Sequence, residues 1–218
     1  NDIKFNTQSI DLKNFEYIFF CTPTDNHAQV ESLINEIKKI KEINPKFKII
    51  IRSTVPLGTC GKIENLFAEK ILYIPEFLRQ RFWETDCYKQ PVIVGHCNDM
   101  IPDWLAHKNI IECTLEEAEL IKMFNNNFAV VRIAFANLFY DLAKSYDADY
   151  DKIKSAYFQV AQDQTYMEIP GYDGSRGFGG KCLPKDLDFL IASLDQHNLD
   201  SQWFKNIREL NTEWQKKF

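Results

Sequence analysis

Gly177-Phe178-Gly179-Gly180-Lys181-Cys182-Leu183-Pro184-Lys185-Asp186 crowds three glycines around one cysteine. Pro184 suits the first turn of a helix, where its missing N–H costs nothing. The apolar run Leu187, Phe189, Leu190, Ile191 continues that helix. Cys182 is therefore expected just before a helix N-terminus, where the dipole and unpaired N–H groups favour a thiolate. Lys181 and Lys185 push the same way. Asp186 lies four residues on, so one helical turn would bring its carboxylate near the sulfur. The glycines let a ligand approach the backbone closely. This is the environment of a reactive, nucleophilic cysteine. An isolated cysteine in a Gly-rich turn is more often an inert thiol, so the reading depends on the rest of the chain.

Other polar residues stand where an α/β sheet would present them. Thr22 follows the apolar run 17–21, and Ser53 and Thr54 follow the run 47–51. Ligands of open α/β sheets bind at the carboxyl ends of strands; taken alone, these hydroxyls are better explained as loop caps. Glu76 follows Pro75 after a third apolar run and, taken alone, is a surface carboxylate. Lys122 and Asn126 lie four apart on one helical face. Residues 125–127 are all asparagine, a poor helix former in an otherwise apolar stretch. Ser175 sits among Gly171, Gly174 and Gly177, where backbone N–H groups and its hydroxyl suit a diphosphate. The four histidines show no metal spacing.

The elements needed to hold these residues are legible. Strands are expected at 17–21, 47–51, 71–74, 91–95 and 110–113. Helices are expected at 27–43, about 60–69 and near 99–107. Strand and helix alternate, which predicts a parallel sheet with covering helices. From Thr114 the pattern changes. Thr114 with Glu117 forms a capping box. Behind it Ile121, Phe124, Phe128, Val131, Phe135, Leu138 and Leu142 step by three and four along some 30 residues. A helix of this length suits a domain connector or a dimer core. Further helices are expected at about 149–162, 184–197 and 201–217. The predicted class is α/β, with a partial Rossmann-like parallel sheet (1–113) followed by an all-helical central domain (114–218).

The cysteine string resembles the catalytic loop of the nucleotide-sugar dehydrogenases that oxidise UDP-glucose or GDP-mannose at C6. The strand followed by Thr22-Pro23-Thr24, then Ser53-Thr54-Val55-Pro56 with Gly58-Thr59, then Pro75-Glu76-Phe77-Leu78-Arg79, then Glu119, Lys122 and Asn126, occur in that family's order. Together they span nearly the whole chain from about Tyr17. The resemblance implies NAD as cofactor and a nucleotide sugar as substrate, UDP-glucose somewhat better than GDP-mannose. It implies Cys182 as the nucleophile that forms a thiohemiacetal and then a thioester. Lys122 is implied to stabilise developing oxyanions, and Asn126 to hold substrate and the attacking water. Ser175 and Gly179 join the substrate site. Thr22, Glu76 and Asp186 are implied to position or activate water, with Thr22, Ser53, Thr54 and Glu76 beside the cofactor. The family usually has a second acidic residue four positions after Glu76. Here it is Gln80, which bears on how water is activated or a nearby lysine tuned.

No Gly-x-Gly-x-x-Gly turn occurs in the sequence. Residues 1–113 thus read as the second half of a dinucleotide-binding domain, and the chain as a family member shorn at both ends. A net charge of −5 argues against a nucleic-acid surface. No apolar run reaches the ~20 residues of a membrane span. The six cysteines form no CxxC pair, which favours reduced thiols and a cytoplasmic setting. A homodimer through the helix at about 115–144 is expected. Two other readings stay open. One is a non-catalytic dimeric relative acting as a binding module. The weaker one is a cysteine hydrolase, for which no histidine has an evident role as partner base.

Overall fold

The computed structural model describes residues 11–24, 26–78, 82–96, 101–105, 108–160, 174–179 and 183–216, without the side chains of 130, 132–134, 137, 185–186, 189 and 193. The chain forms two compact units, Asn1–Phe128 and Ala129–Phe218.

The first unit is built on strands β1 (Tyr17–Phe20), β2 (Lys48–Ile51), β3 (Leu72–Tyr73), β4 (Val92–Gly95) and β5 (Ile110–Cys113), in the spatial order β1-β2-β3-β4-β5. The β1–β2, β2–β3 and β4–β5 pairs are parallel. The β3–β4 pair is antiparallel and rests on one register pair, Tyr73 with Gly95, which departs from the all-parallel sheet expected. The chain leaves β3 after two residues, forms helix α3 (Trp83–Lys89), and re-enters the sheet running the other way. Helix α3 lacks the long apolar periodicity that would have announced it.

The fully buried run Ile49, Ile50 and Ile51 shows why β2 reads as a continuous apolar string: both of its faces are covered. On one face Ile49 and Ile51 join Val30, Leu33, Ile34 and Ile37 of helix α1 (His27–Ile43), Cys60 and Ile63 of helix α2 (Thr59–Phe67), and Leu115 and Ala118 of helix α4 (Leu115–Ser145). On the other face Ile50 packs with Leu72, Ile74, Val94 and Leu105. Leu105 belongs to a short 3-10 turn, Asp103–Leu105, in the region where a helix near 99–107 was expected.

Local chemistry sets the helix starts. The side chain of Asn26 accepts from Gln29 N–H at 3.0 Å and starts α1. The capping box at α4 forms as the sequence predicts. Thr114 N–H donates to the Glu117 carboxylate at 2.8 Å, and Glu117 N–H donates to Thr114 Oγ1 at 3.2 Å. Gly95 has no room for a side chain: a Cβ there would lie 2.6 Å from Ala118 Cβ and 3.0 Å from the Thr114 carbonyl oxygen. The first turn of α4 therefore packs directly on the β4 backbone.

Among the described residues the regular elements of the second unit are helices: the remainder of α4, then α5 (Tyr150–Val160), α6 (Leu183–Gln196) and α7 (Gln202–Gln215). Phe135 stacks on Phe139 at 4.6 Å and meets Phe204 of α7 edge-on at 6.0 Å. Arg208 Nε of α7 reaches Asp188 of α6 at 3.0 Å, and Asp195 of α6 accepts from Ser201 Oγ at 2.5 Å and Lys205 Nζ at 3.0 Å. Among the described residues no helix is long and apolar enough to cross a membrane.

Candidate active site

The hydroxyl-bearing residues of the first unit gather where the strands end. Ser53 is buried and its Oγ donates to the Thr22 carbonyl at 2.6 Å, which ties the β2 exit to the β1 exit. Thr24 Oγ1 donates to the Thr54 carbonyl at 2.6 Å and makes a second tie. Thr54 itself is exposed. Thr22 Oγ1 is buried and has no hydrogen-bond partner among the described residues. A buried hydroxyl without a partner carries a desolvation cost, and such groups ask for an explanation such as a bound ligand.

Helix α4 lashes two of these exits together. Glu119 is 2% exposed, and its carboxylate accepts the N–H of Gly58 at 2.5 Å and of Cys60 at 2.7 Å, at the N-terminus of α2. One turn further, Lys122 is also buried. Its ammonium donates to the backbone carbonyl of Glu76 and lies 5.0 Å over the Phe77 ring. Burial pushes the Lys122 amine below the ordinary lysine range, partly opposed by the Glu76 carboxylate. Glu76 is exposed at the end of β3. Lys122 and Glu76 thus meet through the Glu76 backbone carbonyl. Asn126 lies a turn beyond on the exposed side, where its Oδ1 accepts from Asn125 Nδ2 at 3.2 Å.

In the second unit, Cys182 lies outside the described residues, as does Gln80 in the first. The backbone of Asp186 lies in α6, and its side chain is outside the description. Helix α6 begins at Leu183, the residue after Cys182, as the proline pattern predicts. Ser175 is exposed and Gly179 is half-buried. The stem of the cysteine segment is held by α7. Asn211 Oδ1 accepts from Phe178 N–H at 2.7 Å while its Nδ2 donates to the Phe178 carbonyl at 2.8 Å. Gln215 Nε2 donates to the same carbonyl at 2.8 Å.

Sequence reading did not single out Asn211 or Gln215, and it placed Glu119 in a motif without giving it a role. A signal for Asn211 was present. It stands on the apolar stripe Phe204, Ile207, Trp214 of α7, at 3-4-3 spacing, where a buried amide needs a specific partner.

Comparison with known proteins bears on this arrangement. Residues 116–213 match the UDP-glucose/GDP-mannose dehydrogenase family, central domain. The chain is 33% identical over 224 residues to UDP-glucose 6-dehydrogenase of Campylobacter jejuni, covering 94% of this chain and 54% of that protein. It is 29% identical over 231 residues to UDP-glucose 6-dehydrogenase of Rickettsia prowazekii, covering 96% and 52%. Its fold is like that of GDP-mannose dehydrogenase of Pseudomonas aeruginosa, with a TM-score of 0.74 at 22% identity, covering 91% of this chain and 51% of that one. The chain spans about half the length of these relatives. Residues 116–213, which hold Glu119, Lys122, Asn126, Cys182 and Asn211, are thus similar to the central domain of the UDP-glucose/GDP-mannose dehydrogenase family.

Proposed function

We propose that this chain carries the catalytic residues of an NAD-dependent nucleotide-sugar 6-dehydrogenase, with UDP-glucose as substrate. The observation that carries the reading is the family match over 116–213, with α6 starting directly after Cys182. The named relatives with the higher identities are UDP-glucose 6-dehydrogenases, which favours that sugar over GDP-mannose.

The first unit fits the nicotinamide part of a dinucleotide through its strand exits. Thr22 offers a buried hydroxyl awaiting a partner, its carbonyl accepts from Ser53 Oγ, and Ser53, Thr54 and Glu76 are assigned to the same cofactor. A dinucleotide bound there supplies the oxidant for both two-electron steps. The chain's own residues handle the carbonyl chemistry. The Cys182 sulfur bonds to the aldehyde carbon, and the oxygen takes a proton to give a thiohemiacetal. Oxidation of that adduct leaves a thioester. Water adds at the thioester carbon, the C–S bond breaks, and sulfur departs as thiolate, leaving the sugar carboxylate. One alcohol, one water and two NAD⁺ thereby become one carboxylate, two NADH and three protons. Lys122 is assigned to oxyanion stabilisation, because a partly desolvated ammonium is a strong electrostatic partner for developing charge. Asn126, Ser175 and Gly179 are assigned to substrate, and Asp186, Thr22 and Glu76 to the attacking water.

The reading includes a homodimer through α4. Phe124, Phe128, Val131 and Phe135 step by four, three and four along it, each at least 41% exposed. That stripe equally favours the second reading, a non-catalytic dimeric module.

The deciding experiment is reduction of NAD⁺ by the full-length protein with UDP-glucose and with GDP-mannose. Wild type is expected to form the sugar acid from UDP-glucose, and Cys182→Ala to form none. Undiminished acid formation in Cys182→Ala would remove the cysteine from the mechanism. A dimer without NADH formation on either sugar would establish the second reading. The 218 residues alone are expected to bind NAD weakly and not turn over.

A further inference from the structure

We propose that Asn211 is a positioning residue for the nucleophile, clamping the Phe178 peptide four residues before Cys182. The inference rests on the reading of Cys182 as the nucleophile given above.

The clamp is two-sided. A carboxamide presents an acceptor and donors in one plane, and Asn211 uses one of each on the same residue, Phe178. This is the pairing a neighbouring strand would make, supplied here by a side chain. Asn211 is 7% exposed, so both bonds are sheltered from water, and loss of its amide leaves the Phe178 N–H without this acceptor. Gln215, one helical turn on, doubles the hold on the Phe178 carbonyl from a more exposed position.

Gly177 shows how closely the clamp fits. Its φ is +84°, and a Cβ there would lie 2.4 Å from Asn211 Oδ1. The first glycine of the cysteine string is therefore required by the approach of Asn211, independently of any ligand.

The cysteine segment is anchored downstream to the same helix. Asp188 of α6 pairs with Arg208 of α7 at 3.0 Å, and Arg208 precedes Asn211 by three residues. Phe178 and Asp188 flank Cys182 in the sequence, and both are bound to one turn of α7. A catalytic group held to a fraction of an ångström depends on such support.

The test uses the intact chain. The rate of iodoacetamide alkylation at Cys182 is measured against pH, with peptides resolved by mass. In wild type, Cys182 is expected to alkylate at lower pH than the exposed Cys21 and Cys87. In Asn211→Ala the midpoint is expected to rise, and the rate at neutral pH to fall about tenfold for each pH unit of that rise. Gln215→Ala, which alters only an exposed side chain, is expected to move the profile the same way by less. It decides the question if Asn211→Ala does not fold. Thr212→Ala, at an exposed neighbouring position, should leave the profile unchanged. A wild-type midpoint retained in folded Asn211→Ala, or in Gln215→Ala where that variant decides, overturns the inference and leaves the proposed function standing. A wild-type Cys182 no more reactive than Cys21 and Cys87 overturns the nucleophile reading, and the inference with it.

Discussion

The carboxylate of Glu119 accepts the N–H of Gly58 at 2.5 Å, which joins the fourth helix to the turn that starts the second. Gly58 has a φ of +82° and offers no side chain to cap α2. Glu119 supplies the cap from elsewhere in the sequence and takes the Cys60 N–H as well, at 2.7 Å. The negative charge also suits the positive end of the α2 dipole. Glu119→Ala takes this acceptor from the buried Cys60 N–H and from the more exposed Gly58 N–H. The expected destabilisation is about 3 kcal/mol, counting roughly 1.5 kcal/mol for each charge-assisted bond. Urea unfolding of the two proteins measures it, and a loss below about 1 kcal/mol would show that water replaces the carboxylate.

Gly95 sets how near α4 approaches the sheet. A methyl group there would lie 2.6 Å from Ala118 Cβ and 3.2 Å from Leu115 Cα, and backbone cannot move aside as a flexible side chain can. Gly95→Ala is expected to cost about 1–3 kcal/mol through overpacking. The double variant Gly95→Ala with Ala118→Gly should recover part of that loss. Equal unfolding midpoints for wild type and Gly95→Ala would place the contact elsewhere.

These two contacts mark where sequence reading succeeds and where it stops. Periodicity reached α1 because Val30, Leu33, Ile34 and Ile37 recur at helical spacing, and the capping box of α4 because Thr114 and Glu117 are neighbours. The strand exits with Thr22, Ser53 and Glu76 follow from apolar runs ended by polar residues. Glu119 with Gly58, and Asn211 with Phe178, are separated by 61 and 33 residues. No local pattern encodes such pairings, because each forms only after both elements have packed. The reversed direction of β4 escaped for the same reason: a strand's apolar content does not state which way it runs.

Lys122 gives the first unit a pH dependence with a definite sign. Burial lowers the affinity of its amine for a proton in the folded chain relative to the unfolded one. In the pH range between the folded and unfolded values, the unfolded state holds more protons, so stability rises with pH. Below the folded value both states are protonated and the full cost of burying the charge is present. Lys122→Met removes the titration. Wild-type stability relative to Lys122→Met is therefore expected to climb as pH rises into the alkaline range, read from urea midpoints at a series of pH values. A difference that stays flat across that range would show that the buried ammonium keeps its ordinary proton affinity.

Thr22 offers a test that separates folding from ligand binding. Its Oγ1 is buried without a partner among the described residues, while its carbonyl receives Ser53 Oγ. Thr22→Val keeps the shape and removes the hydroxyl. A buried hydroxyl that makes no bond costs about 1–3 kcal/mol, so the valine variant is expected to be as stable as wild type or more stable. If the hydroxyl is retained for ligand, the same substitution weakens dinucleotide binding to the full-length protein by roughly tenfold, the size of one lost hydrogen bond. Calorimetry for affinity and urea unfolding for stability read the two effects apart. Loss of stability with unchanged affinity would assign the hydroxyl to the fold, and the dinucleotide would then have to be held at the strand exits by Ser53, Thr54 and Glu76 alone.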